Sequence, residues 1–351
     1  MTASDIHEEQ EDLILPLDAF IRSVGVNRAT QHALFLGAGA SVSSGIPSAE
    51  KCIWEWKRSI FVTNNPGLEE QFSELSLPSV QSRIQEWLDR QGIFPSAGST
   101  NEYEFYIEHC YPIMENRRAY FQDRIRSAKP HVGYRLLSHL AQGDIVRSVW
   151  TTNFDGFTTR TAADFNLTTI EVGIDCQERL HRIPSKGELV CVSLHGDYRY
   201  DSLKNTQEEL QTQETELREA LIRELRNTPM IVIGYSGRDQ SVMEMFKTAY
   251  TGQGLGTLYW CRYEDGEIPE HIADLIRHAR ANKRPAFYVP AQGFDDLMTR
   301  LALHCLDSEA RQAAQNDLSQ MAPRDLLDRK PFQIEAQQIN TLIKSNAFEI
   351  E

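Results

Sequence analysis

The chain has 351 residues, of which 41% are hydrophobic and 25% are charged. These proportions are ordinary for a globular protein, and a chain of this length can bury a large core. The formal net charge of −14 disfavours direct binding to nucleic acid, because phosphate contacts require a basic surface. No apolar run approaches the roughly 20 residues that cross a bilayer, and the acidic N-terminus lacks an export segment. We therefore expect a cytoplasmic protein without a membrane partner.

The cysteines are scattered, and no two have the CxxC spacing that is typical of a structural zinc site. Scattered cysteines without an export segment indicate reduced thiols rather than a disulfide framework. We therefore expect no metal and no disulfide bond. The six cysteines are Cys52, Cys110, Cys176, Cys191, Cys261 and Cys305.

The first third of the chain predicts one strand between two helical regions. Residues 1–30 have the pattern of a leader and one helix, because Leu17, Phe20, Ile21 and Val24 recur at helical spacing. The segment HALFLGAGAS follows as an apolar strand that runs into a glycine-rich turn. Residues 50–143 then have a mainly helical pattern, and a connection of this length predicts a helical insertion with a subdomain of its own.

From residue 145 onwards the pattern alternates between strands and helices. The apolar segments IVRSVWTTN, TTIEVG, ELVCVSLHG, PMIVIGYSG, GTLYWCRY and PAFYV predict strands, and helical segments separate most of them. Such alternation predicts a parallel sheet covered on both faces, with ligands at the carboxyl ends of the strands. We therefore expect an α/β, Rossmann-like domain over residues 31–306. The polar residues 307–351 predict a linker or the start of a partner-binding region.

The glycine-rich turn from Gly37 to Ser41 is a candidate phosphate site. Glycine lets the backbone turn tightly and approach a phosphate without a Cβ atom in the way. A following helix would offer its free N–H groups to the anion. A turn of small residues is a weak signal by itself, because it can equally be a plain tight connection.

Several segments together resemble the Sir2 (sirtuin) family. The segment GAGASVSSGIPS, at residues 37–48, resembles the family's first signature, and TTNFD, at 151–155, resembles its TQNID motif. LHG, at 194–196, resembles its catalytic motif, and IGYSG, at 233–237, matches the place where the family holds the cofactor's ribose. These matches occur in the family's order over about 200 residues. The resemblance implies a Sir2 fold that binds NAD.

The resemblance also implies roles for individual residues. It implies that Asn153 and His195 are the catalytic pair and that Asp155 helps hold the nicotinamide end. It implies that the turn at 37–41 binds the pyrophosphate and that the loop after residue 233 binds the ribose. The implied NAD-binding residues are Gly37, Ala38, Gly39, Ala40, Ser41, Ser44, Thr152, Asp155, Gly234, Tyr235 and Ser236.

The chemistry of Asn153 and His195 fits these roles, although structural roles remain open. A carboxamide both donates and accepts, so Asn153 can orient a water molecule and a ribose hydroxyl together. Imidazole titrates near neutral pH, so His195 can accept a proton. Asn153 or Asp155 could instead cap the following helix, and a histidine after a strand is often a structural residue.

Two departures from the family weaken a deacylase function. GIPSAEK stands where sirtuin deacylases usually have GIPDFR, and the paired cysteines of their zinc module are missing. The forms TTNFD, LHGD and IGYSGRD are instead similar to those of bacterial Sir2-like NADases of antiphage defence. This resemblance implies an NAD hydrolase that depletes NAD in abortive infection. The expected partners are a short Argonaute, a HerA-type ATPase or further copies of the chain, so that nucleic acid is reached only through a partner.

An unrestrained NADase would kill its host, so we expect a gate formed by assembly or by a lid in the insertion. Three other functions stay open. They are an NAD-dependent protein deacylase, a non-catalytic sensor of NAD or ADP-ribose, and a scaffold in a nucleic-acid-guided complex.

Overall fold

The computed structural model describes residues 12–26, 30–99, 101–174, 176–182, 184–194, 207–263 and 268–320. His195 and the segment after residue 320 lie outside these residues. The predictions for them therefore stay predictions. Within the described part of the chain, no helix is both long enough and apolar enough to cross a membrane.

A seven-stranded sheet forms the centre of the fold. Its strands lie in the order β3-β4-β2-β1-β5-β6-β7, and every adjacent pair is parallel. The prediction of a parallel α/β sheet is therefore confirmed. The strands are β1 (His32–Leu36), β2 (Val146–Thr151), β3 (Thr168–Val172), β4 (Glu188–Ser193), β5 (Met230–Ile233), β6 (Leu258–Tyr263) and β7 (Ala286–Ala291).

Helices connect these strands and cover both faces of the sheet. Short 3₁₀ helices span Ala38–Ser41 and Gln177–His181. The α-helices before β2 are α1 (Leu17–Val26), α2 (Ala49–Asn64), α3 (Pro78–Gln91), α4 (Glu102–Cys110), α5 (Met114–Ser127) and α6 (Val132–Gln142). Those after β2 are α7 (Phe157–Asp164), α8 (Gln207–Asn227), α9 (Gln240–Ala249), α10 (Glu270–Ala281), α11 (Phe294–Cys305) and α12 (Ser308–Gln320).

The central strand β1 is buried along its whole length because both of its faces are covered. Successive side chains of a strand point to opposite faces. Leu34 and Leu36 accordingly join a core that includes α1, α6 and α11. Ala33 and Phe35 join the core on the other face, together with α8, α9 and α10. This double burial explains why β1 has an uninterrupted apolar sequence.

The helical insertion has an apolar core of its own, formed by α2, α3 and α4. Trp56 is buried in this core and packs against Tyr103 at a ring-centroid distance of 5.1 Å. Lys57 is also buried, and its Nζ lies 2.5 Å from Glu102 Oε1. The buried charge of Lys57 is therefore paired, as burial requires.

Both ends of the described chain join the sheet domain. Leu15 N–H donates to Tyr288 O at 2.8 Å, so the segment before α1 extends the sheet beside β7. Helix α12 lies within residues 307–351, where the sequence predicts a linker. It packs Ala314 against the core, and its Asp317 binds Arg135 and His139 of α6. Residues 308–320 thus form a helix with a small buried face, and the prediction of a linker or the start of a partner-binding region over 307–351 stays a prediction.

Candidate functional site

Four motif segments begin at the same edge of the sheet. In the strand register, Ser193 of β4 pairs with Thr151 of β2, Thr151 with Leu36 of β1, and Leu36 with Ile233 of β5. The next residue of each strand therefore starts a loop at the same level. Because the chain leaves β1 first towards β2 and later returns to β5 on the other side, this edge is a topological switch point. Such points are where open parallel sheets bind ligands.

The loops after β1 and β5 are in direct backbone contact. Gly39 N–H donates to Gly234 O at 2.8 Å, and Gly37 N–H donates to Ile233 O at 3.1 Å. A Cβ atom on Gly37 would lie 2.5 Å from Gly234 O, and one on Gly234, which has φ +70°, would lie 2.3 Å from Ala40 N. Gly37 and Gly234 are thus required for the packing of the two loops, whatever anion the turn binds.

Asn153 lies between the loops after β1 and β2. Its backbone N–H donates to Thr151 Oγ1 at 2.9 Å, and its side-chain Nδ2 donates to Gly37 O at 3.0 Å and to Ser41 Oγ at 3.2 Å. Among the described residues, the amide oxygen Oδ1 has no hydrogen-bond partner. The described residues therefore hold the nitrogen end of the Asn153 amide.

Ser41 connects Asn153 to a buried carboxylate and a buried tyrosine. Its Oγ lies 2.5 Å from Asp155 Oδ2 and 2.7 Å from Tyr134 Oη. Burial and the neighbouring Asp155 carboxylate raise the pKa of Tyr134 well above its usual value. Tyr134 therefore stays protonated at neutral pH and is able to donate.

Asp155 has the capping role that its sequence position left open, and it also binds Ser41. Its Oδ1 accepts from Phe157 N–H at 3.0 Å at the start of α7, while its Oδ2 accepts from Ser41. Gly156, with φ 62°, makes the turn between them. The Asp155 carboxylate thus caps the start of α7 and also binds Ser41.

Other predicted NAD-binding residues have structural partners. Ser44 is buried, and its Oγ accepts from His131 N–H at 2.9 Å. Thr152 N–H donates to Leu36 O at 3.3 Å and is partly exposed, as is Ala38. Gly39 is exposed and Ala40 is buried. Within the turn at 37–41, the N–H groups of Gly37, Gly39 and Ala40 already donate to backbone carbonyl oxygens.

The loop after β5 divides its residues between core and surface. The ring of Tyr235 is buried and packs 4.9 Å from that of Phe35, so its side chain belongs to the core and lies away from the strand edge. Ser236 is exposed, and its carbonyl oxygen lies 2.9 Å from His271 Nε2. The start of α9 is already capped by Asp239, which accepts from Ser241 N–H at 2.9 Å.

The structure describes the loop after β4 as far as Leu194. Leu194 N–H donates to Thr151 O at 3.0 Å, two residues before Asn153 in the chain. His195 follows it in sequence and lies outside the described residues. In the described part of the chain, no three His, Cys, Asp or Glu side chains form a group that could hold a metal ion.

Sequence reasoning missed Tyr134. It lies on α6 at the end of the insertion, 19 residues before Asn153, and belongs to no recognisable motif. Tyrosine on an apolar helix face ordinarily indicates core packing, and its ring does pack against Phe157 and Phe294. No sequence signal distinguishes its hydroxyl from that of other buried tyrosines.

A family model and a solved structure are similar to this chain. Residues 147–283 match the family model described as the SIR2-like domain. No curated protein matches the chain. A solved structure from work on the mechanism and regulation of Sir2 enzymes is similar at 13% identity and a TM-score of 0.37, over 85% of this chain and 99% of that one.

The parallel sheet and the loops at its carboxyl edge define a Rossmann-like α/β protein. Within that class, residues 147–283 match the model of the SIR2-like domain, and this range contains β3, β4, β5 and β6 together with Asn153. The sequence resemblance to the Sir2 family is thereby confirmed. This assignment supports an NAD-using protein in general terms and leaves the reaction to be proposed.

Proposed function

We propose that this chain is an NAD hydrolase that cleaves the bond between nicotinamide and ribose. The products are nicotinamide and ADP-ribose. The observation that carries the proposal is the fixed amide of Asn153, which is held by Gly37 and Ser41 at the switch point of the sheet. A single amide oxygen directed to the ligand side is suited to orienting a water molecule against a sugar carbon.

The chemistry requires little of the leaving group. Nicotinamide in NAD is a pyridinium, so it takes the electron pair of the broken bond and departs neutral. The ribose carbon then resembles an oxocarbenium ion, as in glycoside hydrolysis, and water adds to it. We assign the positioning of water and ribose to Asn153 and the removal of the water's proton to His195. Asp155 acts through Ser41, and the glycine turn binds the pyrophosphate.

The test measures nicotinamide released from NAD by the purified full chain, alone and with the proteins that copurify with it. Asn153→Ala and His195→Ala are each expected to reduce release by about 100-fold or more. Asn227→Ala is the matched control, because its Nδ2 donates to Arg223 O at 2.8 Å on the exposed end of α8. If Asn153→Ala releases nicotinamide at the wild-type rate, the role assigned to Asn153 is refuted. If the wild type releases none in either condition, the hydrolase function is refuted.

An acyl-lysine peptide separates the hydrolase from the deacylase. A hydrolase releases nicotinamide from NAD alone, whereas release that depends on the peptide identifies a deacylase. Binding of ADP-ribose without any release identifies a sensor. The proposed role in antiphage defence adds a further expectation, namely that a protein partner or assembly raises the rate of release.

A further inference from the structure

The hydroxyl of Tyr134 lies within the buried network beneath Asn153, although Tyr134 belongs to none of the motifs. Tyr134 Oη is 2.7 Å from Ser41 Oγ, and Ser41 Oγ is in turn 3.2 Å from Asn153 Nδ2. Tyr134 is 1% exposed and Ser41 is fully buried. Water therefore does not reach the hydrogen bond between the Tyr134 and Ser41 hydroxyl groups.

The direction of each hydrogen bond follows from the chemistry of the groups. Ser41 Oγ–H donates to Asp155 Oδ2 at 2.5 Å, so the single proton of Ser41 is used in this bond. Ser41 Oγ is left with two lone pairs. Tyr134 Oη donates to one of them and Asn153 Nδ2 to the other.

The same partners fix which end of the amide faces the protein. Nδ2 also donates to Gly37 O at 3.0 Å, and a carbonyl oxygen accepts and cannot donate. If the amide were turned over, Oδ1 would face two oxygen atoms. The Asn153 oxygen is therefore turned away from Gly37 and Ser41.

We infer that Tyr134 is a positioning residue. Its hydroxyl occupies one lone pair of Ser41 Oγ and so holds the Asn153 amide in one orientation. The inference rests on the proposed function, because that function assigns the water-orienting role to Asn153. Without the hydroxyl of Tyr134, Ser41 Oγ has a vacant lone pair in a buried site. Its hydrogen bond to Asn153 is then free to rearrange.

Helix α6 holds Tyr134 firmly enough for this role. Asp295 of α11 accepts from Gly133 N–H at 2.8 Å, and its other oxygen lies 2.7 Å from His131 Nδ1. The Tyr134 ring packs 5.5 Å from Phe157 and 4.9 Å from Phe294. Phenylalanine at position 134 keeps these ring contacts, so Tyr134→Phe removes the hydroxyl alone.

Two readouts on the full-length Tyr134→Phe variant test the inference. The first is nicotinamide release, which is expected to fall about tenfold in kcat while the Kd for ADP-ribose stays within about twofold; a tenfold loss corresponds to about 1.4 kcal/mol. The second is the side-chain amide signal of Asn153 in a ¹⁵N NMR spectrum, identified by its loss in Asn153→Ala. This signal is expected to shift and broaden.

Tyr250→Phe is the matched control. Tyr250 is also fully buried, and its hydroxyl has no hydrogen-bond partner within the described residues. Removal of the Tyr250 hydroxyl is expected to change neither nicotinamide release nor the Asn153 amide signal. An unchanged Asn153 signal, or turnover equal to the wild type, in Tyr134→Phe would overturn the inference. If the wild type releases no nicotinamide, the proposed function fails, and the NMR signal alone decides whether Tyr134 positions Asn153.

Discussion

At the scale of single residues, Arg284 is the most connected buried charge that the structure describes. Its guanidinium donates to four carbonyl oxygens, those of Leu225, Arg226, Ala249 and Gly256, at 2.9 to 3.2 Å. Leu225 and Arg226 lie in the last turn of α8, and Ala249 ends α9. A cation at the negative ends of two helices is stabilised by their dipoles.

We predict that Arg284→Lys lowers the free energy of unfolding by about 2 kcal/mol, because one ammonium cannot reach four carbonyls that a planar guanidinium spans. Chemical denaturation monitored by circular dichroism measures the change. Arg300→Lys, at an exposed pair with Asp296, is the control and is expected to cost less than about 0.5 kcal/mol. Equal costs for the two variants would contradict the prediction.

Residue roles were predictable from the sequence where a motif places chemistry at the end of a strand. Asn153 and Asp155 were identified in this way, and the structure brings both to Ser41. The ring of Tyr235 packs against Phe35 in the core, while its predicted contact with the ribose stays a prediction. Tyr235 lies in the loop after β5, behind Gly234 with φ 70°, and a motif does not tell which side a ring in such a loop faces.

At the scale of elements, α12 shows why the sequence predicted the sheet better than the C-terminal region. Buried strands have continuous apolar runs such as HALFL, which are easy to detect. Helix α12 buries Ala314 and relies on polar contacts to α6, where Asp317 Oδ1 meets Arg135 Nη2 and Oδ2 meets His139 Nε2, each at 2.8 Å. Ala310, Ala314 and Leu318 do recur at a spacing of four and pack against the core, but two alanines and one leucine give a weak apolar signal in a polar segment.

We predict that the docking of α12 weakens in acid. Burial alone would raise the pKa of Asp317, but its hydrogen bonds from Arg135 and His139 outweigh burial, so the pKa of Asp317 is lowered. A carboxyl group with a lowered pKa contributes stability that is complete above its unfolded pKa of about 3.9 and is lost as the pH falls through its folded pKa.

The measurement compares the Tm of the wild type with that of Asp317→Asn. The wild type is expected to be more stable at pH 6, and the difference is expected to shrink below about pH 4. Asp296→Asn is a control, because Asp296 forms its ion pair with Arg300 within α11. A difference that stays constant down to pH 2 would contradict the assignment.

At the scale of the whole molecule, the insertion reaches the candidate site. Phe121 of α5 lies 5.9 Å, between ring centroids, from Phe154, which is the residue after Asn153. The sequence predicted an insertion with helices of its own, but not which helix lies beside the site. That proximity depends on tertiary packing, which is beyond helical periodicity.

We predict that Phe121→Ala raises the basal rate of nicotinamide release by the purified chain if α5 restrains access to Asn153, as the proposed gate requires. The control is Phe105→Ala, because Phe105 packs within the insertion against Phe94, in ring contacts separate from the pair of Phe121 and Phe154. If Phe121→Ala leaves the basal rate unchanged while an added partner still raises it, α5 does not form the gate.

The backbone contact between the two glycine loops also limits how this protein can vary. No side chain fits at residues 37 or 234 without separating the strands' ends, so the spacing between these two loops is fixed. We therefore expect differences in ligand preference to arise at more exposed residues of the same loops. These include the partly exposed Thr152 and Phe154 and the exposed Ser236. Mutagenesis that aims to change the selectivity between NAD and NADP should therefore target these exposed residues.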